Sequence, residues 1–428
     1  MKAFLEKTLG RKAARLLRRS GAEVVAVTGS VGKSSAKEAI ATVLKDKFEA
    51  EPSPRNYNTE FGLPLAVLML VSPGRSVWRW CVTLKKAGWR SWFGIKGYPR
   101  TWVLEMAADH PGDISKLVAI APPHIGVVTA VGESHAVFFG SVENIAKEKG
   151  TLIASLPTDG TAVLNRDDER VWAMRDRTKA SVVSFGFHPD ADIRAVEDSV
   201  SYVCDPEGEC GVHFKMSADG STVPVFLPAV LGRPSIYAAL AAAAVGRIKG
   251  MNLVEISERL KDYVAPPGRL RYIPGIKRTV LIDDTYNSAP KSALAALEVL
   301  EEIPLAEEER RFVVLGDMLE LGSLSEEGHR KVGFRAVELG IDYLILVGER
   351  TIDTEKAARE AGAPEDRVFH FSTTEEAGRF VQEKLRRGDM VLIKGSRGMH
   401  MEAVVKELMA DPLRAEELLV EVKESWKQ

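Results

Sequence analysis

Apolar and polar positions divide this 428-residue chain into two alternating series. In the first, short apolar runs at 24–27, 101–106, 124–130, 161–165 and 181–187 read as strands. Helical spacing occupies the stretches between, notably 36–44, 113–120 and 141–155. Strands that alternate with helices are buried on both faces, which predicts a mainly parallel sheet covered by helices. Residues 192–227 then read as antiparallel strands and 234–246 as an alanine-rich helix. The sequence Ala265-Pro266-Pro267-Gly268 interrupts the pattern and marks a domain boundary. Beyond it, 278–284, 311–315, 343–347, 368–371 and 390–394 read as strands of a second, smaller α/β domain, and 413–428 as a mainly acidic terminal helix.

The first apolar run ends in Thr28-Gly29-Ser30-Val31-Gly32-Lys33-Ser34-Ser35, directly before a helical pattern. Strand, glycine-containing turn and helix in that order form a phosphate loop. Backbone N–H groups and the helix N-terminus face an anion, Lys33 reaches the β- and γ-phosphates, and Ser34 or its neighbour Ser35 holds Mg²⁺. Val27 stands where the common eight-residue form has its first glycine, so the loop is a shorter variant. The expected fold class is therefore α/β: a P-loop central ATPase domain over 21–265, preceded by a basic helix over 1–20 and followed by a Rossmann-like C-terminal domain over 266–428.

Composition narrows the picture. Lys and Arg number 58 against 60 Asp and Glu, a balance that does not indicate a nucleic-acid partner. Cys81, Cys204 and Cys210 are too few for a disulfide framework, which suits a reducing cytoplasm. Cys204, Cys210 and His213 lie close in sequence but lack a fourth zinc ligand, and read as ordinary residues. No stretch is long and apolar enough to span a bilayer.

Two stretches stand apart from the α/β pattern. Residues 1–20 carry seven basic side chains against the single Glu6. Residues 75–102 hold Trp78, Trp80, Trp89, Trp92 and Trp102, five of the seven tryptophans, among Arg75, Arg79, Lys85, Lys86, Arg90, Lys96 and Arg100. Two readings of them stay open: peripheral contact with an anionic membrane, or a solvated helix and a core filled beneath a long insertion; a third, base stacking on single-stranded nucleic acid, is disfavoured because the rest of the chain is not basic.

Further motifs follow the phosphate loop in order: Asn56-Tyr57-Asn58-Thr59, Leu104-Glu105-Met106-Ala107, Glu133-Ser134-His135, Ala146-Lys147-Glu148-Lys149-Gly150, Pro267-Gly268-Arg269, Asp283-Asp284-Thr285-Tyr286-Asn287, Gly316-Asp317-Met318-Leu319-Glu320 and Lys394-Gly395-Ser396-Arg397. This series, covering nearly everything after residue 22, resembles the Mur ligase family, and within it the dipeptide-adding branch. The resemblance implies an ATP-dependent amide ligase that activates a carboxylate as an acyl phosphate and joins it to an amino acid or dipeptide. The setting it implies is the synthesis of a cell-wall peptide precursor in the cytoplasm.

The resemblance also assigns roles. Thr28 to Ser35 hold the phosphates; Ser34, Glu105, His135 and Lys149 match metal-ligand positions. Lys149 matches a lysine carried as a carbamate, with Lys147 as the competing candidate. Arg269 contacts the phosphates and Asp284 the ribose, with Tyr286 and Asn287 in the same loop. Lys394, Ser396 and Arg397 lie where the free carboxylate of the incoming amino acid or dipeptide binds.

Two departures are visible. Only about twenty residues precede the first strand, where the family carries a domain for a UDP-linked substrate, so a lipid-linked precursor at the inner face of the membrane is one expectation. The family's Gly-x-His-Asn-x-x-Asn, which helps hold adenine, is here Gly232-Arg233-Pro234-Ser235-Ile236-Tyr237-Ala238. A ligase resembling folylpolyglutamate synthase, and a non-catalytic nucleotide-binding scaffold, are the alternatives.

Overall fold

The computed structural model describes residues 2–54, 56–74, 76–132, 139–205 and 208–420. They fall into two compact units, one of residues 1–199, 214–225 and 234–263, the other of residues 200–213, 226–233 and 264–428.

In the first unit, helix α1 (Lys2–Ser20) precedes β1 (Glu23–Thr28), α2 (Lys33–Phe48), β2 (Ala50–Pro52), α3 (Gly62–Val67), α4 (Val77–Phe93), β3 (Thr101–Glu105), α5 (Asp113–Ile120), β4 (Ile125–Val128), α6 (Val142–Ala154), β5 (Thr161–Asn165) and β6 (Ser181–Gly186). The sheet order β2-β3-β1-β4-β5-β6 is parallel throughout, as the buried runs predict. Strand β6 is followed along the chain by β7 (Ile193–Cys204), β8 (Cys210–Ala218) and β9 (Ser221–Pro228), whose residues are divided between the two units. Strand β1 lies between β3 and β4, with Val27 beside Glu105 and Thr28 beside Val128. The chain leaves β1 in the crevice at the strand carboxyl ends, where an open α/β sheet binds its ligand.

In the second unit β10 (Arg271–Pro274) pairs antiparallel with β11 (Val280–Asp284). The sheet then runs parallel through β15 (Met390–Lys394), β12 (Arg311–Gly316), β13 (Tyr343–Val347) and β14 (Val368–Phe371). Its inner strands are almost wholly buried.

Three expectations change. The predicted terminal helix over 413–428 is, in its described part, a 3₁₀ turn at Pro412–Arg414 and a four-residue helix at Ala415–Leu418; residues 421–428 lie outside the described residues. Cys204 and Cys210 are joined by a disulfide, because the β7–β8 hairpin brings its two ends together, while His213 stacks on Phe226 with ring centroids 4.3 Å apart. The tryptophan stretch does not behave as one unit. Trp102 is buried and Trp80 packs on Phe61 at 6.0 Å, whereas Trp78, Trp89 and Trp92 stand exposed on α4.

Candidate active site

The loop after β1 is held by backbone and by one threonine. Ser30 N–H donates to the Ala130 carbonyl at 2.7 Å, and Thr129 Oγ1 donates to the Val31 carbonyl at 2.6 Å. Gly29 has φ +152°, and a Cβ there would stand 2.0 Å from Thr129 Oγ1. Gly32 is the N-cap of α2 at φ 84° and makes no side-chain cap bond, so the first N–H groups of α2 have no side-chain acceptor at the cap. Those N–H groups and the helix dipole suit an anion. Replacing Gly29 by Ala forces Thr129 or the loop to shift, and we expect ATP affinity to fall by tenfold or more (~1.4 kcal/mol per decade) with little change in melting temperature. Isothermal titration with ATP checks this.

Lys33 folds back over the loop, its ammonium donating to the carbonyls of Gly29 at 2.8 Å and Ser30 at 3.2 Å. Ser34 Oγ donates to Glu105 Oε2 at 2.7 Å, and Asn58 Nδ2 donates to Glu105 Oε1 at 3.0 Å. Glu105 is buried at the end of β3. Burial alone raises its pKa, but the charges of Lys33 and Lys37 and the two hydrogen bonds outweigh it and hold the carboxyl below its usual range. Of the two serines left open by the sequence, Ser34 meets Glu105, while Ser35 is buried on the inner side of α2.

Helix α6 places Lys149 on its buried face with Ile145, Glu148 and Leu152, and leaves Lys147 exposed. Among the described residues the Lys149 ammonium has no hydrogen-bond or ion-pair partner. Burial first, and then the charge of Lys33, bring its pKa down to about 7, with Glu148 and Asp109 acting in the opposite sense. The neighbouring Glu148 is occupied, accepting from the N–H groups of Gly112 and Ile114 at 2.8 Å each and so capping α5. The predicted ligand His135 lies outside the described residues. Hydroxyl and carboxylate donors such as Ser34 and Glu105 suit a hard divalent cation such as Mg²⁺.

Beyond the loop, Asn165 Nδ2 donates to the Thr129 carbonyl at 2.8 Å. Asp167 accepts from the N–H groups of Phe187 and His188 and, at 2.8 Å, from the hydroxyl of Tyr237, whose ring meets Phe187 edge-on at 5.3 Å. Tyr237 belongs to the segment that departs from the family's adenine motif; Ser235 and Ala238 of that segment are buried.

In the second unit the register sets Asp284 beside Lys394. The buried Lys394 ammonium donates to Asp284 Oδ2 at 2.6 Å and to the Asn287 carbonyl at 2.9 Å. Arg269 lies over the Tyr286 ring at 3.9 Å. Ser396 Oγ accepts from Leu319 N–H at 2.8 Å and donates to the Ser288 carbonyl at 3.3 Å. Arg397 pairs with Glu402 at 2.8 Å. Asp283, wholly buried, is pushed by that burial to about 6, against hydrogen bonds from Thr285 and Gly268. The structure thus gathers Lys33, Ser34, Glu105 and Lys149 in the first unit, and Asp284, Asn287, Lys394 and Ser396 in the second.

Several residues with clear roles went unassigned in the sequence. Asn58 stood in a recognisable motif but had no assigned role. Thr129 and Asn165 carried only their position at strand ends as a signal. Lys37, donating to the Ser53 carbonyl at 2.6 Å, looks in sequence like any helix lysine.

Residues 95–246 match the Mur ligase middle domain and residues 268–397 the Mur ligase glutamate ligase domain. The UDP-N-acetylmuramoyl-tripeptide–D-alanyl-D-alanine ligase of Bacillus subtilis is 30% identical over 93% of this chain and 78% of its own length. That of Mycobacterium tuberculosis is 32% identical over 96% and 77%. The crystal structure of the MurF ligase of Thermotoga maritima in complex with ADP superposes with a TM-score of 0.76 at 26% identity, covering 96% of this chain and 84% of that one. With a phosphate loop facing a buried carboxylate and similarity running through both units, the chain belongs to the Mur ligase family and is an ATP-dependent acid–amino-acid ligase.

Proposed function

We propose that the chain joins a carboxylate of a cell-wall peptide precursor to an amino acid or dipeptide. D-Alanyl-D-alanine, named for the relatives, is the first candidate. The observation that carries this reading is the grouping of Lys33, Ser34 and Glu105 with a buried Lys149 whose charge responds to Lys33.

In the reaction a carboxylate oxygen of the acceptor attacks the γ-phosphorus of ATP and ADP leaves. The amine then attacks the acyl phosphate carbonyl, expelling inorganic phosphate and losing a proton. Negative charge gathers on the transferring phosphoryl group, so positioned cations and N–H donors do most of the work. Thr28 to Ser35 cradle the phosphates and Lys33 moves from its two loop carbonyls to the β- and γ-oxygens. Mg²⁺, when bound, supplies charge neutralisation at the phosphates, and Ser34, Glu105, His135 and Lys149 as a carbamate are its proposed holders. Arg269 serves the phosphates and Asp284, Tyr286 and Asn287 the nucleoside. Lys394 braces that loop through Asp284, while Ser396 and Arg397 serve the free carboxylate of the incoming amine. With the family's two asparagines replaced, Tyr237 and Phe187 are the groups proposed to meet the base.

The acceptor is proposed to be a lipid-linked form of the precursor, presented at the inner face of the membrane, on the strength of the exposed aromatic and basic side chains of α4. Phosphate release from ATP, measured with UDP-linked and lipid-linked tripeptide and with D-alanyl-D-alanine, tests both levels. Release stimulated by either acceptor supports the ligase reading. Stimulation by the UDP-linked form alone removes the lipid-linked one, and no stimulation by any acceptor overturns the whole.

A further inference from the structure

Helix α4 carries large apolar side chains on its solvent side as well as on its core side. Its inward side packs Trp80 and Leu84 on the core and buries Thr83, Ala87 and Ser91, while its solvent side carries Trp78 (76% exposed), Trp89 (63%), Phe93 (73%) and Val82. At 100° per residue those four lie within roughly 60° of one another, a single stripe along the helix. The exposed Lys85 borders the stripe on one side, and the exposed Lys86 and Arg79 border it on the other. No acidic residue occurs anywhere on α4.

Helix α1 packs beside it. Lys12 donates to the Leu84 carbonyl at 3.5 Å, and the Arg15 guanidinium covers the exposed Trp92 ring at 4.4 Å. With Leu9, Ala13, Leu16 and Leu17 buried, α1 turns Phe4, Lys7, Arg11, Arg15, Arg18 and Arg19 to solvent. A cationic stripe and an aromatic stripe thus meet at Arg15 and Trp92, in a chain whose net charge is −2. A contiguous exposed apolar surface of this kind marks an interaction site.

We infer that the α1–α4 face is a docking surface for an anionic lipid bilayer. The inference deepens the lipid-linked reading above but rests on helix geometry and charge, not on the ligase chemistry. Indole and phenyl rings favour the headgroup region, and each cation near an anionic leaflet strengthens binding. Charge decides the occupant, since two copies of this face repel each other whereas an anionic surface attracts it. Among the described residues no helix is long and apolar enough to cross a membrane, so the helix pair lies on the surface.

Co-sedimentation of the full chain with vesicles tests it. Mixed phosphatidylglycerol–phosphatidylcholine vesicles are expected to bind the protein, salt to weaken that binding, and pure phosphatidylcholine to bind it far less. Trp78→Ala, Trp89→Ala and Phe93→Ala combined should weaken binding by more than about tenfold, and Lys85→Gln and Lys86→Gln by roughly fivefold each. All five positions are exposed, so these variants fold. Lys33→Ala should bind vesicles as the parent does, and the triple aromatic variant should keep its turnover on a water-soluble acceptor, so failure here and failure of the ligase reading are told apart. No binding to the anionic vesicles at low salt, or equal binding by the triple variant, overturns the inference. So does lipid-free dimerisation that the triple variant abolishes, which assigns the face to a second copy.

Discussion

Replacing Lys33 by Met is expected to lower kcat/KM for ATP by about three orders of magnitude and to leave the fold intact. In the structure the ammonium donates to the Gly29 and Ser30 carbonyls, 2.8 and 3.2 Å away. Both carbonyls lie in a loop that is otherwise anchored through Ser30 N–H and Thr129. Removing the charge therefore leaves those two anchors in place and takes away the cation proposed to meet the phosphates. A second consequence is electrostatic. Lys33 lowers the pKa of both Glu105 and Lys149, so in Lys33→Met both pKa values should rise. Turnover measured with ATP and a saturating acceptor, together with a thermal melt, checks the prediction. Unchanged turnover would remove the phosphate loop from the chemistry.

How much of this was legible in the sequence depended on the range of each contact. The phosphate loop and Glu105 were readable because a strand run, a glycine turn and a Lys-Ser pair are local, and strand ends are where such sheets carry their chemistry. The choice between Ser34 and Ser35 was not, and Lys149 was favoured over Lys147 by its spacing from His135 alone. Both choices depend on how α2 and α6 are rotated against the sheet, and residues one or two apart on a helix face very different directions. Asn58 reaches Glu105 across 47 residues, from a loop with no periodicity to betray it. Asp284 and Lys394 carried separate expected roles, one toward a ribose and one toward a carboxylate. The pairing of β11 with β15 sets them side by side, and no local pattern encodes which strands pair. The tryptophan stretch stayed open for a more local reason. It was read as one unit, but helical geometry sends Trp80 inward and Trp78 and Trp89 outward.

Lys149→Ala is expected to abolish ligation, and millimolar acetate or propionate to restore part of it. Only a neutral amine attacks CO₂, forming the N–C bond and releasing one proton to give an anionic carbamate. A lysine at its ordinary pKa is neutral in about one molecule in three thousand at pH 7, whereas Lys149, drawn down to about 7 by burial and by Lys33, is neutral in roughly half. Activity should therefore fall as pH drops through about 7 and should rise with added bicarbonate at pH 8. Stability moves with a definite sign. The folded pKa lies below the unfolded one, so between pH 7 and the ordinary lysine value near 10.5 the unfolded chain holds a proton that the native state lacks. The free energy of unfolding in CO₂-free buffer then rises with pH across that window, by about 1.4 kcal/mol per unit. The full penalty of burying a cation is present below pH 7. Lys149→Met removes that penalty and should melt higher than the parent at pH 6 while remaining inactive, a gain in stability at the expense of function that marks a group kept for its chemistry. Retained ligation in Lys149→Ala, with no response to acetate, would leave Lys149 a buried structural lysine and take the second anionic metal ligand out of the site.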